Sequence, residues 1–255
     1  MWYSFIAYLK FLLSSTNQHG VHSPFVYNLV TQCFYNKTNY PEYAAIKTYR
    51  NRLLKDKQVI TVTDLGSGSK RHSKNQKAIS QIVKTAGTTY KRAKLLMRLT
   101  QYFTCSSILE LGTSLGIATQ AMHLGNPKAS ITSIEGCPNI SSFTKKLLNP
   151  YNNIALLTGN FNLYLKDCNQ TTFDLIFFDG NHNKTATLKY FEDLLPTAHN
   201  NSVFIFDDIY WSKDMTEAWE AIKQHPQVTV TIDTYFWGFV FFRTEQVKEH
   251  FKIRV

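Results

Sequence analysis

Ile108-Leu-Glu-Leu-Gly-Thr-Ser-Leu-Gly116 (ILELGTSLG) is an apolar run that ends in a glycine turn. A short apolar run bounded by a turn reads as a buried strand, here Ser107–Leu111. Glycines let a backbone turn tightly and approach a ligand without a Cβ in the way. The spacing is G-x-x-x-G, from Gly112 to Gly116, rather than the G-x-G-x-x-G of dinucleotide sites. That argues against a pyrophosphate cofactor. A cofactor without phosphate needs only a looser turn. The next strand-like run, Ser130–Glu135, ends in an acid about 20 residues on, where a carboxylate can accept ribose hydroxyls.

Further runs follow: Asn153–Thr158, Phe173–Asp179 (FDLIFFD), Ser202–Asp208 (SVFIFDD), Val228–Asp233 and Phe239–Arg243. Helical patterns lie between them. Met215, Ala218, Trp219 and Ile222 share one helix face, and Thr187–Leu195 is similar, with Pro196 as its stop. Strands alternating with helices imply parallel pairing. The last two runs are joined by only Thr234–Gly238, which predicts an antiparallel hairpin. The expected fold is α/β and Rossmann-like: a seven-stranded, mostly parallel sheet with an antiparallel edge hairpin.

The first 105 residues are less regular. Tyr40–Leu54 and Ser73–Phe103 read as helical, the latter with a break near Gly87, and Gln58–Asp64 reads as a strand. Asp64-Leu-Gly-Ser-Gly-Ser69 is a second glycine-rich turn after a strand-like run. No strand ending in an acid follows it at the needed distance, so it reads as a surface turn, or a lid or substrate loop. Met1–Leu13 (MWYSFIAYLKFLL) is apolar, too short to span a membrane, and without a cleavable leader's signature. It reads as a helix packed on the body or in a homodimer contact, with a place on a membrane surface as the lesser reading. The expected division is 1–105, a basic, mostly helical substrate region, and 106–255, a catalytic domain.

Charge follows that division. Residues 1–105 hold 16 Lys+Arg and 3 Asp+Glu, net +13, and residues 106–255 hold 12 and 15, net −3. A basic surface steers anions: nucleic acid, an anionic small molecule or a membrane surface. The four cysteines are scattered, which supports neither a disulfide framework nor a zinc site and points to reduced thiols in the cytoplasm.

The stretches ILELGTSLGIAT, SIEG, FDLIFFDGNH and FIFDDIYWS, in that order, resemble class I S-adenosylmethionine-dependent methyltransferases. They are most similar to the catechol O-methyltransferase-like group and its bacterial small-molecule relatives. His19–Tyr27 (HGVHSPFVY) resembles the N-terminal segment of a set of bacterial methyltransferases. The resemblance implies that Gly112, Thr113, Ser114 and Gly116 wrap the methionine part of the cofactor, with Glu110 and Gly136 beside them. It implies Glu135 on the ribose, and Asn160 and Phe161 at the adenine. Asp179, Asp207 and Asp208 stand where metal-dependent relatives hold Mg²⁺ or another divalent cation, and Asp179 also stands where the cofactor's amino group can be held. His182 and Lys184 lie near the place of the catechol enzymes' base, with Asp179 and Asp208 also counted as catalytic.

Blander roles stand beside these. Asp179, Asp207 and Asp208 could cap helices, His182 could bond to backbone, and His19 and His22 read as structural. Trp211, Trp219 and Trp237 read as core rather than substrate platform, with Trp211 in the loop nearest the site. The implied activity is O-methylation of a small-molecule acceptor, metal-assisted in some relatives. Rival readings are an RNA or protein methyltransferase docked through the basic region, and a scaffold that binds cofactor without chemistry. Against the nucleic-acid reading, no N-P-P-Y tetrapeptide follows Phe173–Asp179; Asn149-Pro150-Tyr151 precedes the third strand.

Overall fold

The computed structural model describes residues 2–63, 75–166, 168 and 171–255. The Asp64–Ser69 turn lies outside them. The chain runs α1 (Trp2–Ser14), α2 (Pro24–Leu29), α3 (Glu42–Lys55), β1 (Val59–Val62), β2 (Asn75–Ala78), α4 (Ile79–Ala86) and α5 (Tyr90–Tyr102). It continues β3 (Ser107–Leu111), α6 (Ile117–Gly125), β4 (Ser130–Glu135), α7 (Pro138–Leu148), β5 (Ile154–Thr158) and α8 (Phe161–Leu165). Then come β6 (Leu175–Phe178), α9 (Lys184–Leu194), β7 (Val203–Asp207), α10 (Lys213–Gln224), β8 (Val230–Asp233), β9 (Trp237–Phe241) and β10 (Glu249–Lys252). From β3 to β7 strands and helices alternate as expected. Two compact units result: Lys37–Leu163, and Met1–Asn36 with Tyr164–Val255.

In the unit Lys37–Leu163, β3, β4 and β5 are parallel, with Glu110 opposite Ser133 and Glu135 opposite Thr158. Their inward residues, Ile108, Leu109, Ile131 and Ile134, are fully buried. Buried parallel strands read as continuous apolar runs, which is why β3 and β4 have the bounds the sequence predicts. The expectation of helix from Ser73 onward fails at Asn75–Ala78, which pairs antiparallel with β1, Val59 opposite Ala78. The β-branched run Val-Ile-Thr-Val leaves backbone groups that need a partner strand, and these residues supply it. Helix begins only at Ile79, breaks at Gly87 and resumes at Tyr90, where Thr89 caps it through the Arg92 N–H.

In the other unit, β6 and β7 are parallel, and β9 lies antiparallel to both β7 and β8. The hairpin β8–β9 is therefore present. It does not end the sheet, because β10 pairs parallel with β8. Stacked and edge-on aromatics fill the core: Phe178 on Phe206 at 4.2 Å, Phe34 on Phe239 at 5.1 Å, Phe177 on Trp237 at 5.6 Å. Trp219 and Trp237 are core residues as expected, whereas Trp211 is 65% exposed, on the loop that β7 feeds. Cys33, Cys105 and Cys137 are buried free thiols, and Cys168 is a half-buried one. Among the described residues no helix is long and apolar enough to cross a membrane.

Candidate active site

Left-handed backbone gathers at the carboxyl ends of strands. Gly112 (φ 108°), Ser114 (φ 48°) and Gly116 (φ 74°) follow β3, Gly159 (φ 150°) follows β5, Asn181 (φ 56°) follows β6, Asp208 (φ 54°) follows β7 and Tyr235 (φ 70°) follows β8. A non-glycine residue held there costs on the order of 1 kcal/mol, and such positions concentrate where ligands bind. In open parallel sheets those ends are where ligands sit.

The turn after β3 is held from several sides. The N–H groups of Gly112 and Thr113 both donate to the Ile134 carbonyl, and the Gly116 N–H donates to the Thr113 carbonyl. Thr144 Oγ1 donates to the Ser114 carbonyl at 2.8 Å, and Tyr49 Oη to the Leu115 carbonyl at 2.8 Å. A Cβ at Gly116 would lie 2.9 Å from Thr144 Cγ2 and 3.0 Å from Tyr49 Oη. Glycine there answers both the backbone angle and the packing.

Glu135 closes the turn. Its Oε2 accepts the Ser114 N–H and its Oε1 the Cys137 N–H, each at 2.8 Å. Burial raises its pKa, and the two backbone donors oppose that rise. A carboxylate offers about four lone-pair directions, so two remain for a ligand's hydroxyls. Asn160 turns its own side chain back to the Asn162 N–H at 3.0 Å, and Phe161 beside it is buried.

Glu110 is the unusual group. It is fully buried on β3, and its Oε2 accepts Thr119 Oγ1 and Ser133 Oγ, each at 2.5 Å. Ser133 Oγ also meets Thr113 Oγ1 at 2.5 Å, which links the carboxyl to the turn. Its Oε1 has no hydrogen-bond partner. Burial pushes its pKa up to about 7, against the Ser133 and Thr119 hydrogen bonds, and nearby Glu135 adds to the rise. The folded state therefore holds this proton more tightly than the unfolded state. Stability from this group is complete below pH 4.5 and is lost as pH rises from 4.5 through 7, about 3 kcal/mol in all. Glu110→Gln removes that ionisation. In urea unfolding its stability relative to wild type should rise by about 3 kcal/mol between pH 4.5 and pH 8. Parallel pH profiles would contradict the burial argument.

The acids of the other unit lie at the ends of β6 and β7. Asp179, His182 and Asp207 bring ligand atoms within 4.8 Å of one another, and His182 Nε2 is 3.9 Å from Asp179 Oδ1. Asp207 is buried at the end of β7, and the other two are half-buried. Asp208 is not in that cluster. Its left-handed backbone starts the next turn, and its N–H donates to the Phe236 carbonyl. Lys184 opens α9 and pairs with Glu217 Oε2 at 2.7 Å, which raises its pKa. His19 and His22 are exposed and belong to no such cluster. The sequence singled out the glycines and acids. It did not single out Tyr49, Thr144, Thr119 or Ser133, which hold the turn or its neighbour Glu110.

Parallel strands carrying ligand-type turns at their carboxyl ends define a Rossmann-like α/β protein. Residues 109–209 match a family model described as a methyltransferase domain. That match covers 101 of the chain's 255 residues, and the fold around it is the Rossmann-like methyltransferase fold. Three solved structures share the fold. An O-methyltransferase from Bacillus cereus in complex with SAH is 20% identical, with a TM-score of 0.53 over 62% of this chain and 83% of that one. The O-methyltransferase TomG from Streptomyces achromogenes, involved in tomaymycin synthesis and in complex with SAM, is 18% identical, with a TM-score of 0.54 over 62% and 82%. The SAH-bound methyltransferase PaMTH1 of Podospora anserina is 12% identical, with a TM-score of 0.60 over 88% and 97%. A search of curated protein sequences gives no match.

Proposed function

We propose that the chain transfers the methyl group of S-adenosylmethionine to a hydroxyl oxygen of a small acceptor, with a divalent cation bound by the Asp179, His182 and Asp207 cluster. That cluster is the observation that carries the reading. Two of the neighbouring folds are O-methyltransferases. Two carboxylates and an imidazole form an oxygen- and nitrogen-donor set suited to a divalent ion. Such an ion would lower the pKa of the acceptor hydroxyl and orient it.

The remaining roles fall to the chain. Gly112, Thr113, Ser114, Gly116 and Gly136 hold the methionine part. The orphan Oε1 of Glu110 fits a group that brings a donor, such as an ammonium or an ordered water. Glu135 takes the ribose hydroxyls with its remaining lone pairs, and Asn160 and Phe161 flank the adenine. Asp179 and Asp207 orient the acceptor, and Asp208 shapes the loop beside them. His182 Nε2 would complete the ligand set. Lys184 is a poor base while Glu217 holds its charge.

The unit Lys37–Leu163 has 18 Lys+Arg against 5 Asp+Glu, and two of those acids, Glu110 and Glu135, are buried. An anionic acceptor suits that surface. RNA would suit it too, and a steep fall of affinity with salt is the signature of that case. The test is a screen of hydroxylated acceptors with methyl-labelled S-adenosylmethionine, with and without chelator. Label on an acceptor oxygen, lost with chelator and restored by Mg²⁺ or Mn²⁺, supports the proposal. Transfer that ignores chelator removes the cation from it.

A further inference from the structure

We infer that α1 is a self-association face and that two copies of the chain pair through it. The helix is fixed to its own unit by one side only. Phe11 is its buried residue and packs 5.8 Å from Tyr235, Tyr8 meets the same ring at 4.8 Å, and Tyr235 Oη donates to the Ser4 carbonyl at 2.6 Å. Ser4 Oγ reaches the carbonyls of Tyr210 and Trp211, and Thr16 bridges to Ile253 just past the helix. With the helix so anchored, its other face cannot turn inward to hide.

That outer face is apolar. Trp2 (79% exposed), Phe5 (55%), Ile6 (47%), Leu9 (45%) and Leu13 (90%) fall within about 100° of arc, opposite Phe11. Trp211 (65%) and Phe236 (48%) continue it through the Ser4 and Tyr235 contacts. Together these side chains expose on the order of 800 Å². The largest apolar patch on a typical monomer is about 300–600 Å². About 800 Å² per partner is what a standard stable interface buries.

Spacing and charge choose the occupant. Trp2, Ile6, Leu9 and Leu13 recur at intervals of 4, 3 and 4 residues, the seam that seats a second helix of the same pattern. A two-fold axis makes such a stripe complementary to itself. The helix carries one charge, Lys10, at the flank of the stripe. Residues 1–36 and 164–255 together hold 10 Lys+Arg and 13 Asp+Glu, so this unit has no net attraction to an anionic lipid surface.

Sedimentation velocity between about 1 and 100 μM tests the pairing. The wild-type chain should approach twice its 29.4 kDa. Leu13→Glu sits at a position too exposed to support the monomer, and with Leu9→Glu it should weaken dimerisation by about 100-fold or more. S-adenosylhomocysteine should still shift the melting temperature of both variants, which shows that they fold. A wild-type monomer throughout the range overturns the inference, as does a dimer indifferent to both substitutions. So does a wild-type monomer that floats with phosphatidylcholine vesicles, which would give the face to lipid.

Discussion

Asp207→Ala should lower kcat/KM for methyl transfer by about 1,000-fold, while affinity for S-adenosylhomocysteine stays within about twofold of wild type. Asp208→Ala should cost clearly less. The two acids are neighbours in sequence, but only Asp207 joins Asp179 and His182 within 4.8 Å. Asp208 lies outside that cluster, and its backbone is left-handed. Orienting a hydroxyl and helping to remove its proton are effects confined to the transition state, so they appear in kcat rather than in cofactor binding. Turnover of an acceptor from the screen, with S-adenosylhomocysteine titrated by calorimetry, separates the two. Equal losses at Asp207 and Asp208 would mean that the cluster is not what matters.

Glu135→Ala should weaken S-adenosylhomocysteine binding by about 100-fold and destabilise the fold by about 2 kcal/mol. The carboxylate is nearly buried and accepts the N–H groups of both Ser114 and Cys137. Removing it leaves two donors without an acceptor and frees the turn to relax. Glu135→Gln keeps one acceptor oxygen and should fall between. Calorimetric titration with S-adenosylhomocysteine, beside urea unfolding, checks both effects. Stability lost without affinity lost would give Glu135 a purely structural role.

The sequence is most readable where burial is two-sided. Ser107–Leu111 and Ser130–Glu135 stand out because each is an apolar run that stops at a turn, and the strands have those bounds. FDLIFFD and SVFIFDD are read slightly long: Phe173, Asp174 and Asp179 flank β6, and Ser202 and Asp208 flank β7, whereas Asp207 pairs with Trp237 in the ladder. Asn75–Ala78 and Glu249–Lys252 escape notice for the opposite reason. They are polar edge strands in which backbone pairing, not side-chain burial, makes the strand. The exposed Trp211 escapes because a large aromatic is read as core by default.

The site divides the same way. Glycines and strand-end acids announce themselves by type and spacing. The residues that hold the turn act across long separations, Thr144 from 30 residues away and Tyr49 from 66. No local pattern encodes such contacts. Nor does an Asp-Asp pair tell that Asp207 rather than Asp208 joins Asp179 and His182.

The central claim is that the turn from Gly112 to Gly116, closed by Glu135, holds S-adenosylmethionine. Calorimetric titration of the full chain with S-adenosylhomocysteine, with NAD as control, tests it directly. One saturable site for S-adenosylhomocysteine is expected, absent with NAD and lost in Gly116→Val. No heat and no saturation with S-adenosylhomocysteine, or equal binding of NAD, would contradict it.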